Sequence, residues 1–115
     1  MEIFDKTASL EKAGDDPELA KELFQMLINA LPELKATLNQ EFQHSANGNF
    51  LAIAHKVYGS TAYCGVPQLR ESAKSLEDVI KAGNDAVEVE SQLELVNQAI
   101  DRLMGESDVL LASDW

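Results

Sequence analysis

The chain has 115 residues, 45% of them hydrophobic, and carries 20 acidic against 9 basic side chains for a net charge of −11. That length supports one compact core and excludes a multidomain enzyme, while the apolar content is too high for a disordered chain. The acidic balance argues against nucleic acid and against direct membrane contact as partners, because both reward clustered Lys and Arg.

Residues from about Asp5 to Ala13 suit a short helix ended by Gly14, since glycine accepts the left-handed conformation found at helix ends. A long amphipathic helix follows. Asp16 is placed to cap it, Pro17 suits its first position, and Glu18 lies at the positive end of the helix dipole. Its apolar stripe reads Leu19, Leu23, Leu27, Leu31, Leu34, Leu38 and Phe42, at the spacing of three or four that keeps one face inward. Pro32 falls inside it and predicts a kink. The stretch SANGN reads as a turn, and a third helix is expected from Asn49 to about Cys64.

A fourth helix is expected from Val66 to about Ala82, with Pro67 early, Leu69, Ala73, Leu76 and Ile80 as its stripe, and Gly83 and Asn84 at its end. The fifth takes Asp85 as cap and buries Val89, Leu93, Val96, Ile100 and Leu103, ending near Gly105. No strand pattern competes. Long amphipathic helices with short connections predict an all-α fold, an antiparallel up-and-down four-helix bundle with an additional short N-terminal helix. One domain covers residues 1–115, with its core over about 3–104 and a frayed tail over 105–115.

One cysteine, Cys64, excludes an internal disulfide and a multi-thiolate metal site, and its place on an apolar face marks it as an inert core residue. Carboxylates such as those of EVESQLELV lack a histidine at ligand spacing, so no metal site is expected. The N-terminal MEIFDKTASLEK lacks a secretory signal, and no run reaches membrane-spanning length, so a cytoplasmic chain is expected.

The third helix does not read as a plain core element. Around a wheel of about 100° per residue, Phe50, Ile53, Ala54, Val57, Thr61 and Cys64 gather on one side. His55 points the other way, among Ala52, Gly59 and Ala62, with Lys56 and Tyr63 on one flank and Leu51 and Tyr58 on the other. Small neighbours let another protein's backbone approach an imidazole closely. A mid-helix glycine costs roughly 1 kcal/mol relative to alanine, so Gly59 points to a role outside folding. From Phe42 to Arg70 there is no Asp or Glu, leaving a neutral-to-basic window in an acidic chain. Such a patch suits an acidic partner or a phosphoryl group. A neutral imidazole is a good nucleophile, and a phosphorylated ring nitrogen can pass the group on. His44 has no such setting and is assigned only the mild preference of a cation for a helix C-terminus.

The stretch AHKVYGSTAYCG, Ala54 to Gly65, resembles the signature of the histidine-containing phosphotransfer (HPt) domain: His55, Gly59, Ser60 and Gly65 fall where that pattern has its phosphorylated histidine, a glycine four residues on, a small or hydroxyl residue, and a second glycine. DKTASLEKAGDDPELAKELFQMLINALPELKATL resembles the family's first two helices, and AYCGVPQLRESAKSLE the helix that follows, most like the C-terminal HPt module of GacS/BarA-type hybrid sensor kinases. The likeness covers about Ile3 to Leu103. One departure stands out: Tyr58 replaces a lysine that many members carry three residues after the histidine.

The resemblance implies a monomeric phosphoryl carrier without kinase activity, whose His55 relays phosphate between receiver-domain aspartates. Lys56, Gly59, Ser60 and Tyr58 would support it, and Leu51, Ala52, Ala62 and Tyr63 would line the docking surface. It implies no cofactor on this chain, with Mg²⁺ on the partner receiver. Beginning directly at the first helix points to a module of a longer membrane-bound kinase. Two other readings remain open: a helical adaptor that binds a receiver or partner helix without chemistry, and, more weakly, a dimerising kinase core, disfavoured because no glycine-rich ATP-binding segment follows.

Overall fold

The computed structural model describes residues 1–44 and 49–115, and among these every regular element is a helix. In chain order they are α1 (Lys6–Lys12), α2 (Pro17–Gln43), α3 (Asn49–Ser60), α4 (Pro67–Lys81) and α5 (Ala86–Ala112). The expected turn over SANGN lies largely outside the described residues.

The punctuation follows the sequence closely. The Asp5 carboxylate accepts from Ala8 N–H at 3.0 Å, Asp16 from Glu18 N–H at 3.0 Å and Leu19 N–H at 3.2 Å, and Asp85 from Glu88 N–H at 2.9 Å. Each satisfies an amide that a helix start leaves unpaired. Gly14 and Gly83 take the left-handed φ values of +65° and +72° that end α1 and α4. Helix α2 runs unbroken through Pro32.

Helix α2 packs against α3 and α5, α4 against α3 and α5, and α1 against α2. Between α2 and α5, Asn39 and Asn97 exchange two amide hydrogen bonds of 2.8 and 2.9 Å, and Lys35 meets Asp101 at 2.6 Å. The core between the helices is formed by Phe24, Leu31, Leu38, Val57, Leu69, Leu76, Val96, Ile100 and Leu103. All five stripe residues expected in α5 are buried.

Three expectations change. The buried stripe of α2 begins at Ala20 and Phe24, whereas Leu19 is 40% exposed; successive steps of four drift around a helix, and the alternating register 20, 24, 27, 31, 34, 38 stays on one face. Helix α3 stops at Ser60, four residues before Cys64, and the chain turns there, yet Thr61 and Cys64 remain buried. The tail is not frayed: α5 continues past Gly105 to Ala112. Its extension buries Ser107 and delivers Trp115 onto Phe4 and Phe24, with ring centroids 5.0 and 5.6 Å away. Trp115 Nε1–H donates to Leu110 carbonyl at 2.8 Å, and Lys6 Nζ donates to the Asp114 carbonyl.

The N-terminal segment anchors the turn after α3. Asp5 N–H donates to Gly65 carbonyl at 2.8 Å, Gly65 N–H to Ser9 Oγ at 2.8 Å, and Gln68 N–H to Glu2 carbonyl at 3.1 Å. A β-carbon at Gly65 would lie 2.2 Å from the Asp5 carbonyl oxygen, so this glycine serves close packing.

Candidate functional site: the His55–Glu77–Lys81 cluster

Helix α3 places Phe50, Ala54 and Val57 in the core, and a turn of about 100° per residue therefore carries His55 outward. Its side chain is 69% exposed, yet one ring nitrogen is fixed: Nδ1 lies 2.7 Å from Oε1 of Glu77 on α4. Glu77 follows Ala73 by one turn and adjoins Leu76, on the buried edge of α4, where its side chain is only 3% exposed. Lys81, one further turn along α4, brings Nζ to 3.0 Å from the same Oε1.

Burial pushes the Glu77 carboxyl up, but hydrogen bonds from Lys81 and His55 and their positive charge outweigh it, so its pKa lies below the ordinary carboxylate value. Glu77 is thus ionised near neutral pH and can only accept. The proton of a neutral His55 ring therefore sits on Nδ1, leaving the lone pair of Nε2 facing outward.

The sequence reading missed Glu77 and Lys81. The window around His55 is free of acids along the chain but not in space, because α4 supplies Glu77, and Glu33 of α2 lines the cleft beside His55. The available signal was an acidic residue one turn after Ala73 within an otherwise apolar edge.

The other expected residues divide by side. Lys56, Gly59 and Ser60 border a cleft between α3 and α2, lined also by Ala30, Leu34, Thr37 and Ile53. A β-carbon on Gly59 would meet no atom within 4 Å, so nothing inside this chain requires glycine there. The Ser60 hydroxyl donates to Val57 carbonyl at 2.6 Å, turned back on its own helix. Ala52, Ala62 and Tyr63 are exposed, and Leu51 is half-buried.

Tyr58 turns to α4. Its ring stacks on the Arg70 guanidinium at 4.4 Å, its hydroxyl accepts from Arg70 Nη2 at 2.9 Å, and Lys74 Nζ lies 5.8 Å from the ring. Arg70 Nη1 also donates to the buried Thr61 Oγ1 at 3.0 Å. The position three residues after the histidine thus carries an aromatic clasped by a cation from α4. His44 stays apart from the site, its Nδ1 at 2.8 Å from Gln40 carbonyl at the end of α2. Burial pushes the Cys64 thiol up to about 11, which keeps it protonated and unreactive at neutral pH.

The family model described as "Hpt domain" matches residues 22–106 of the chain. The chain is a member of the Hpt domain family. Among curated relatives it is 24% identical over 103 residues to the signal transduction histidine-protein kinase BarA of Escherichia coli (strain K12), covering 90% of this chain and 11% of that protein. It is 28% identical over 108 residues to the sensor protein GacS of Pseudomonas syringae pv. syringae, covering 94% of this chain and 12% of that protein. This HPt domain therefore spans only about a ninth to an eighth of the length of these kinases. The crystal structure of the HPT domain from a Shewanella sensor hybrid histidine kinase superposes with a TM-score of 0.85 at 21% identity, covering 96% of this chain and 94% of that one. No helix among the described residues is long and apolar enough to cross a membrane.

Proposed function

We propose that this HPt domain is a phosphoryl carrier of a two-component phosphorelay: His55 accepts a phosphoryl group from a receiver-domain aspartyl phosphate and passes it to a response regulator. The observation that carries the reading is the exposed His55 ring held through Nδ1 by a buried carboxylate, which leaves Nε2 as the free nucleophile. In the forward step the Nε2 lone pair forms the N–P bond while the aspartyl P–O bond breaks, its electron pair leaving on the receiver's carboxylate. The ring becomes a phospho-imidazolium whose positive charge is balanced by Glu77. The reverse sequence delivers the group onward.

Charge stabilisation of the transferring group is most of what phosphoryl transfer demands, and a receiver with its own Mg²⁺ can supply it. The domain itself then needs no metal and no kinase activity. Gly59 gives the receiver clearance beside His55. Leu51, Ala52, Ala62 and Tyr63 contribute the docking rim, Lys56 adds positive charge at the cleft, and Tyr58 and Ser60 serve locally within the bundle. The carrier is a monomeric, antiparallel up-and-down four-helix bundle formed by α2 to α5, acting in the cytoplasm as part of a larger sensor kinase. An adaptor without chemistry would have no use for a fixed ring tautomer, which favours the carrier.

The test is incubation with a phosphorylated receiver domain and Mg²⁺. Acid-labile, alkali-stable phosphate on His55 supports the carrier; complex formation without such phosphate supports the adaptor.

A further inference from the structure

Oε1 of Glu77 serves two partners at once, His55 Nδ1 at 2.7 Å and Lys81 Nζ at 3.0 Å. The carboxylate is 3% exposed and Lys81 is 53% exposed. A carboxylate withdrawn from water needs positive charge beside it. Two groups in contact with Glu77 can provide it: the Lys81 ammonium, and the His55 ring after uptake of a second proton. If the ring provides it, both nitrogens carry hydrogen and Nε2 has no lone pair with which to attack phosphorus.

We infer that Lys81 is a positioning residue that neutralises Glu77 and thereby keeps the His55 ring uncharged and nucleophilic as pH falls. This rests on the reading of His55 as phosphoryl acceptor. Lys81 takes no part in bond making; the N–P bond forms and the aspartyl P–O bond breaks as described above, and the Nδ1 proton stays between the ring and Glu77.

The other charged groups around the ring are differently engaged. Lys74 of α4 pairs with Asp78 at 3.1 Å. Glu33 of α2 and Lys56 of α3 border the cleft with opposite signs, and both are exposed to screening solvent. Lys81 alone of these cations touches Glu77. Glu77 therefore orients the ring, and Lys81 sets how much positive charge the ring must carry.

The experiment follows the rate of phosphoryl acceptance from a phosphorylated receiver domain across pH for the wild type, Lys81→Gln, Lys81→Arg and Lys35→Gln. Lys35 pairs with Asp101 of α5, so the last variant removes equal charge away from His55. The receiver's own pH dependence is common to all four. Lys81→Gln should move the acid limb of the profile upward by about half a pH unit or more. Lys81→Arg should restore the limb, and Lys35→Gln should keep the wild-type profile. Nitrogen NMR of the His55 ring, recorded without a receiver, should show Lys81→Gln taking up the second proton at correspondingly higher pH. A Lys81→Gln profile and ring titration that coincide with those of Lys35→Gln overturn the inference. Failure of the wild type to accept phosphate would instead overturn the carrier reading, and the ring titration would still decide what Lys81 does.

Discussion

Replacing Gly59 with alanine should separate folding from docking. A β-carbon at this position meets no atom within 4 Å, so the free domain gains helix propensity without a clash. Gly59 lies next to the C-terminal residue of α3, which limits the gain to about 0.5–1 kcal/mol. For a domain of this size that raises Tm by about 2–4 °C. If a receiver docks beside His55 as proposed, the added methyl would occupy space that its backbone needs. Overpacking by one methyl weakens docking by about 1–2 kcal/mol, a roughly five- to thirtyfold loss of acceptance at limiting receiver. Thermal melts and transfer kinetics on the same preparation measure both. A Gly59→Ala domain that is stabilised yet accepts phosphate as fast as wild type would refute the clearance argument; one that melts lower would refute the claim that the site is empty.

Gly65→Ala should do the opposite, lowering stability by roughly 2 kcal/mol or more in a thermal or urea melt, because its β-carbon would lie 2.2 Å from Asp5 carbonyl oxygen and 2.9 Å from Ser9 nitrogen. Glu77→Gln keeps an oxygen for Nδ1–H but removes the charge that balances the phospho-imidazolium, and should slow acceptance roughly tenfold in the transfer assay. The same variant tests linkage: a carboxyl whose folded pKa is depressed stabilises the fold fully above the ordinary carboxylate range and loses that contribution as pH falls through the depressed value. Denaturant midpoints of wild type and Glu77→Gln should therefore converge on acidification. Truncation after Gly105 should destabilise the domain by roughly 2 kcal/mol, since it removes Ser107 and the Trp115 contacts with Phe4 and Phe24; an unchanged Tm would restore the frayed-tail reading.

Local signals were the most legible part of the sequence. Asp16, Asp85 and Gly83 announce helix ends through hydrogen bonds made within a few residues, and the stripe of α5 repeats cleanly enough to fix its face. His55 was legible too, because one residue's direction follows from its own helix. What escaped depends on contacts between elements. Leu19 and Leu23 fit the spacing rule as well as Ala20 and Phe24 do, and only packing against neighbours, including Phe4 and Trp115, selects the second register. The tail lies beyond Gly105 and the last residue of the α5 stripe, which marks it as frayed in the sequence, and its order comes from aromatic contacts of Trp115 with Phe4 and Phe24. Glu77 lies 22 residues from His55, so an acid-free stretch of sequence did not translate into an acid-free surface. Tyr58 reads in the sequence as a residue flanking His55 in place of a lysine, and its clasp by Arg70 depends on packing between α3 and α4.

The most direct test of the account is phosphoryl transfer from a labelled receiver domain, with Mg²⁺ present, to the wild type and to His55→Gln. His55 is largely exposed, so the variant should keep its helicity and Tm close to wild type. The account predicts acid-labile, alkali-stable label on the wild type and none on His55→Gln. Label on both proteins, or on neither despite measurable receiver binding, would contradict it.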